Sequence, residues 1–136
     1  MYIKFVTKVS GNSEGKMKYF AIIASAFVLM SSHVMAEGDA KKGERVFKKC
    51  AACHTTEPGK KKPGPHLQNI LGREAGSVDG FKYSKAMSGS GVIWDADNLR
   101  AFLAKPKAFM PKTKMSFPGL KKDTDLDNLI AYLSGL

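Results

Sequence analysis

Three stretches of the chain repeat apolar residues at helical spacing, and glycine and proline punctuate everything between them. Residues 39–53 (DAKKGERVFKKCAAC) put Ala40, Gly43, Phe47 and Cys50 at i, i+3, i+7 and i+10, one face of a helix, with lysines on the other side. Gly43 on that face weakens a helix by about 1 kcal/mol relative to alanine, so another element must approach closely there. Residues 96–105 (ADNLRAFLAK) form the second helix: Asp95 is its N-cap, Leu99, Phe102 and Leu103 make the stripe, and Pro106 stops it. Residues 125–135 (DLDNLIAYLSG) form the third, capped by Thr124 or Asp123, with acids in its first turn and Leu126, Leu129, Ile130 and Leu133 repeating. The segment Leu67–Gly72 reads as a fourth helical turn.

The connections 55–66, 73–93 and 106–122 show no strand alternation and are long for so small a unit. Loops of that length signal function, disorder, or the wrapping of a large cofactor that supplies the missing core. The expected class is mostly α, three to four helices, without internal repeats.

The first third of the chain reads differently. Residues 1–36 hold four lysines and one acid, and Tyr19–Met30 is an uncharged run of twelve residues after Lys16 and Lys18. That run is too short for a hydrocarbon core of about 30 Å, which needs about 20 apolar residues. Val34-Met35-Ala36 supplies small residues where signal peptidase reads, so residues 1–36 are expected to be a cleaved secretory signal. Met17 would itself serve as a start, leaving residues 1–16 as an upstream extension. The competing reading is an uncleaved leader that anchors the protein to a membrane. Residues 37–136 then form one domain, near the lower end of what an apolar core stabilises unaided.

Residues 37–136 carry 18 Lys/Arg against 11 Asp/Glu, a balance of +7. A basic surface suits nucleic acid, an acidic membrane or an acidic protein. No helix-turn-helix, zinc-finger or aromatic-platform pattern supports nucleic acid. An acidic protein partner suits an exported chain better.

Two cysteines occur, Cys50 and Cys53, within Cys50-Ala51-Ala52-Cys53-His54. The pentapeptide has the form of a c-type haem attachment site. Two thiols one helical turn apart match the two porphyrin vinyl groups, and the residue after the second thiol, His54, supplies an imidazole to the iron. Competing readings are thinner. A thioredoxin-like pair needs a βαβ context, a zinc site needs four ligands and has only His66 to add, and a disulfide across two residues is strained and closes a tiny loop. For a second axial ligand residues 37–136 offer Met87, Met110, Met115 and His66. Met115 stands out because it follows the irregular stretch Pro111-Lys112-Thr113-Lys114, and a loop can carry a side chain across the haem face opposite His54.

GDAKKGERVFKKCAACHTTEPG (38–59), GPHLQNILGREAG (64–76), FKYSKA (81–86), GVIW (91–94), PKTKMSFPGL (111–120) and LIAYL (129–133) together resemble the class I cytochromes c, in the family's order. The resemblance implies a cytochrome c fold of three to four helices around one covalent haem c, with Cys50 and Cys53 as thioether partners and His54 and Met115 as axial iron ligands. It implies that the Pro65 carbonyl orients His54, that Arg73, Tyr83 and Trp94 surround the haem propionates, and that Thr113 brings a hydroxyl to the pocket. It also places Gly43, Phe47 and Tyr132 where the first and last helices cross. Phe102 and Met87 stand where the mitochondrial form often has tyrosine and asparagine, and Lys112 replaces a common glycine.

The implied function is a periplasmic one-electron carrier, not an enzyme, shuttling between a quinol–cytochrome c reductase and an oxidase or similar acceptor. A monomer is expected, and lysines near the haem edge (Lys49, Lys62, Lys107, Lys112, Lys114 and Lys121) would steer acidic partners. A haem peroxidase or gas sensor is the alternative, and would need Met115 absent from the iron or weakly bound.

Overall fold

A computed structural model of the chain describes residues 38–136. The expected signal segment, residues 1–36, therefore lies outside the described residues. Five helices follow one another: α1 (Ala40–Phe47), α2 (Lys85–Ser88), α3 (Ala96–Ala104), α4 (Pro106–Phe109) and α5 (Asp123–Ser134). Among the described residues there is no strand, only an isolated antiparallel bridge between Glu74 and Ile93. No described helix is long and apolar enough to cross a membrane.

α1 starts where its chemistry allows. The Asp39 carboxylate accepts hydrogen bonds from the Lys41 and Lys42 amides at 2.9 and 3.1 Å, satisfying donors that a helix start leaves open. The backbone bond from Lys42 is the main reason the Asp39 carboxyl is held below its usual range. α1 packs on α5 through Gly43. A first side-chain carbon there would lie 2.7 Å from both the Asn128 carbonyl carbon and Tyr132 Cβ, well inside van der Waals contact. The glycine that weakens α1 as an isolated helix is thus what lets the helices cross. Beside it the Phe47 and Tyr132 rings meet at 5.4 Å, and the Asp39 amide donates to Asn128 Oδ1 at 2.7 Å.

α1 is shorter than the 39–53 periodicity suggests. After Phe47 the Lys48, Lys49 and Cys50 amides turn back to the carbonyls three residues earlier, at 3.3, 3.0 and 2.7 Å, so the chain tightens into successive turns. α3 matches its expected span almost to the residue, with the Asp95 side chain accepting from the Asn98 amide at 2.7 Å. Lys105, ahead of Pro106, is driven to φ −148° and ψ 76°, which ends α3. Pro106 does more than stop a helix: it occupies the first turn of α4, where its missing N–H costs nothing.

Two further expectations need correction. Leu67–Gly72 forms turns rather than a helical turn, because Asn69 takes φ 52° and Gly72 φ 79°, both left-handed. α5 begins two residues before 125, at Asp123, and its N-cap is Lys122 with no side-chain cap, not Thr124 or Asp123. Asp123 and Asp125 instead sit in the first turn, where negative charge complements the helix dipole. Arg100 of α3 bonds Asp123 at 3.0 Å and also pairs with Asp127, tying α3 to α5.

Replacing Gly43 by alanine should destabilise the protein by about 2–4 kcal/mol, since overpacking outweighs the gain in helix propensity. A guanidinium unfolding midpoint that does not fall would show that the crossing can spread without cost.

Candidate functional site

The helices and loops enclose an apolar cavity of about 450 Å³. Its walls come from almost every part of the described chain. Phe47 lies at the end of α1, Ile70 in a turn, Leu99, Phe102 and Leu103 on α3, and Leu129 and Leu133 on α5. These residues belong to the buried core, so much of that core is also cavity wall, backed by Val46, Met110, Leu120 and Leu126. At about 24 cal/mol per Å³, an unfilled apolar hollow of this size would cost on the order of 10 kcal/mol, comparable to the whole stability of a small domain. The walls are shaped for a large apolar body.

Cys50, Cys53 and His54 enter this cavity together. The turns after α1 carry them: the Cys53 and His54 amides both donate to the Cys50 carbonyl, at 3.0 and 2.9 Å. Cys50 is half-buried, Cys53 is exposed, and no disulfide joins them. Burial pushes the Cys50 thiol up, partly offset by the neighbouring Lys49 ammonium. No group of three or more His, Cys, Asp or Glu among the described residues is arranged to hold a bare metal ion.

His54 Nδ1 lies 2.8 Å from the Pro65 carbonyl oxygen. A carbonyl only accepts, so Nδ1 carries the proton and Nε2 keeps a lone pair for a metal. Burial holds the imidazole below its ordinary pKa against the opposing pull of the Pro65 bond, with Lys62 adding to the depression. Gly64 leaves room for this ring: a first side-chain carbon there would sit 2.5 Å from His54 Cε1 and 2.8 Å from Nδ1.

Of the four expected second-ligand candidates, Met115 and Met87 line the cavity, whereas Met110 and His66 do not. Met110 is buried in the shell, and His66 leaves its Nδ1 buried without a hydrogen-bond partner. Met115 follows a turn whose Thr113 hydroxyl accepts the Met115 amide hydrogen at 3.3 Å.

Pro65, Arg73, Tyr83, Trp94 and Thr113 all line the cavity as well. Arg73 donates to the Gln68 and His66 carbonyls, both at 2.9 Å, which fixes its guanidinium at the wall. Burial lowers its pKa and raises that of Tyr83 beside it. Trp94 is buried and its ring meets Phe102 at a tilt, with centroids 5.0 Å apart, and Phe102 meets Phe109 edge-on at 5.9 Å. The leucines of α3 and α5 were legible as helix stripes but not as cavity wall, because periodicity tells which face is buried and not against what. Gly64 and the wall position of Met87 carried no independent signal.

A family model described as "Cytochrome c" matches residues 40–136. A cytochrome c of Stellaria longipes is 50% identical over 99 residues, covering 71% of this chain and 92% of its own length. A cytochrome c2 of Agrobacterium tumefaciens is 48% identical over 101 residues, covering 71% and 91%. The solved structure of cytochrome cH from Methylobacterium extorquens superposes with a TM-score of 0.70 at 43% identity, covering 73% of this chain and all of that one. Fold, cavity and likenesses define a small helical haem carrier. The chain belongs to the cytochrome c family, electron carriers rather than enzymes, with one covalent haem c per chain.

Gly64→Ala should lower stability by about 1–3 kcal/mol and disturb the His54–Pro65 bond, because the added methyl meets the imidazole. An unchanged His54 ring-proton shift in the NMR spectrum of the reduced protein would contradict this.

Proposed function

We propose that the chain is an exported one-electron carrier whose haem is joined to Cys50 and Cys53 by thioethers and ligated by His54 and Met115. One observation carries the reading: these four side chains line the same apolar cavity. The haem supplies the iron redox couple. The protein residues hold it, exclude water and present a docking face.

Each residue has a definable task. Cys50 and Cys53 fix the macrocycle in one orientation at the end of α1. His54 offers Nε2, and the Pro65 carbonyl, by holding Nδ1–H, orients the ring and increases its donor strength. Met115 offers a thioether, which favours the reduced state and raises the potential. Arg73, Tyr83 and Trp94 would lie beside the haem propionates. The Thr113 hydroxyl steadies the segment that carries Met115. Apolar walls from Phe102, Leu103 and Leu129 keep water from the iron, so little solvent has to reorganise when charge changes.

Residues 1–36 act as a cleaved leader on this reading, and residues 37–136 work in the periplasm as a monomer between a membrane quinol–cytochrome c reductase and an oxidase or similar acceptor. The excess of basic residues supports acidic partners. Among the lysines concerned, Lys49 pairs with Asp125 at 3.3 Å, Lys62 donates to the Ala51 carbonyl, and Lys114 donates to the Tyr83 carbonyl at 3.3 Å. Lys107 and Lys112 are exposed and enter no ion pair or hydrogen bond among the described residues, so their charges are fully available for steering.

The reduced protein should give a pyridine haemochrome of haem c that resists acid–acetone extraction. The oxidised protein should show a methionine-to-iron band in the near infrared that Met115→Ala abolishes. A colourless protein from a host with haem-ligation machinery, or a haem stripped by acid–acetone, would sink the reading. Lys107→Glu should slow electron transfer to an acidic oxidase about three- to tenfold at low salt, with the difference vanishing near 1 M, where screening acts within about 3 Å. Rates insensitive to ionic strength would remove the steering role.

A further inference from the structure

Lys112 has a backbone conformation that lysine seldom takes. Its φ is 66°, in the left-handed region where Cβ crowds the following carbonyl. The cause is the turn it occupies. The Thr113 amide donates to the Met110 carbonyl at 3.2 Å, closing a four-residue turn with Pro111 second and Lys112 third. Proline followed by positive φ is the pattern of a type II turn, whose third position takes glycine because φ must be positive. Asn69, the other non-glycine at positive φ among the described residues, is a residue type that tolerates it. Lysine is not, and among the described residues the exposed Lys112 side chain makes no ion pair or hydrogen bond that would offset the strain.

The strain sits in a thinly held segment. Between residues 111 and 119 the Thr113 amide is the one backbone donor to another backbone group, and Leu120 then anchors the chain through the Leu103 carbonyl at 2.9 Å. Met115 hangs within that span, three residues past Lys112, its amide held by the Thr113 hydroxyl. Segments with few backbone bonds open locally, below the free energy of global unfolding.

We propose that residues 111–119 form a pre-strained strap, in which the left-handed Lys112 backbone favours local opening. Resting on the reading of Met115 as iron ligand, the strap lets Met115 leave more readily than glycine at 112 would. A small neutral nitrogen base can then take its place. The strain is a property of the backbone and not of the lysine charge.

The test uses the ferric haem protein as wild type, Lys112→Gly and Lys112→Ala. Imidazole is titrated optically, and native-state hydrogen exchange follows the Thr113 and Met115 amides. Glycine relieves the Cβ conflict, an effect partly offset by its own freedom in the open strap. Imidazole affinity should therefore fall, and both amides should exchange more slowly, by about three- to fivefold in Lys112→Gly. Alanine keeps Cβ and removes the charge, so Lys112→Ala should match wild type in both. Glycine behaving like wild type, or alanine shifting as far as glycine, would overturn the strap. A wild-type protein without the near-infrared thioether band would overturn the ligand assignment instead, while the exchange rates would still decide the strain.

Discussion

The hollow at the centre governs this structure. A chain with so few residues in helices has too little self-packing surface to build a continuous interior, and the shell of Phe47, Ile70, Trp94, Leu99, Phe102, Leu103, Leu129 and Leu133 closes only around something else. The haem of the family meets that need with a rigid apolar plate that costs almost no conformational entropy to bury. Loops 55–66 and 106–122 can then stay irregular, since they pack against a flat surface and need no neighbouring strands. The short bridge between Glu74 and Ile93, flanked by the Gly72 amide donating to the Trp94 carbonyl and the Trp94 amide donating to the Arg73 carbonyl, pins loop 73–93 to itself rather than to a sheet.

Much of this was legible in the residues. Helical spacing located α1, α3 and α5, Gly43 announced a close crossing, and the attachment pentapeptide named the chemistry. The misses have physical reasons. The 39–53 periodicity continued past Phe47 because Cys50 lies on the same face, yet the chain there tightens to three-residue turns, which the 3.6-residue pattern cannot distinguish over one turn. Leu67–Gly72 has good helix formers, but Asn69 and Gly72 adopt left-handed backbone to bring Arg73 to the wall. The helices α2 and α4, four residues each, are below the length at which periodicity carries information. The site was legible through motif and family likeness, whereas the identity of its walls needed the fold.

The positions that depart from the mitochondrial pattern share a place in the molecule. Met87 and Phe102 both line the cavity, and Lys112 lies in the turn before Met115. If tyrosine and asparagine stand there in the mitochondrial form, as the resemblance implies, Phe102 and Met87 each give the wall an apolar group in place of a polar one. The third adds a side chain where backbone geometry favours none.

The clasp between α1 and α5 has a consequence for how the protein is made. The Asp39 amide and the Asn128 side chain that holds it are 89 residues apart in sequence, so one wall of the fold cannot close until nearly the whole chain has emerged. Until then α1 has no partner for its glycine face, and the thiols that follow it stay open to the machinery that must reach them. Late closure leaves both thiols within reach of haem attachment while most of the chain is still being made.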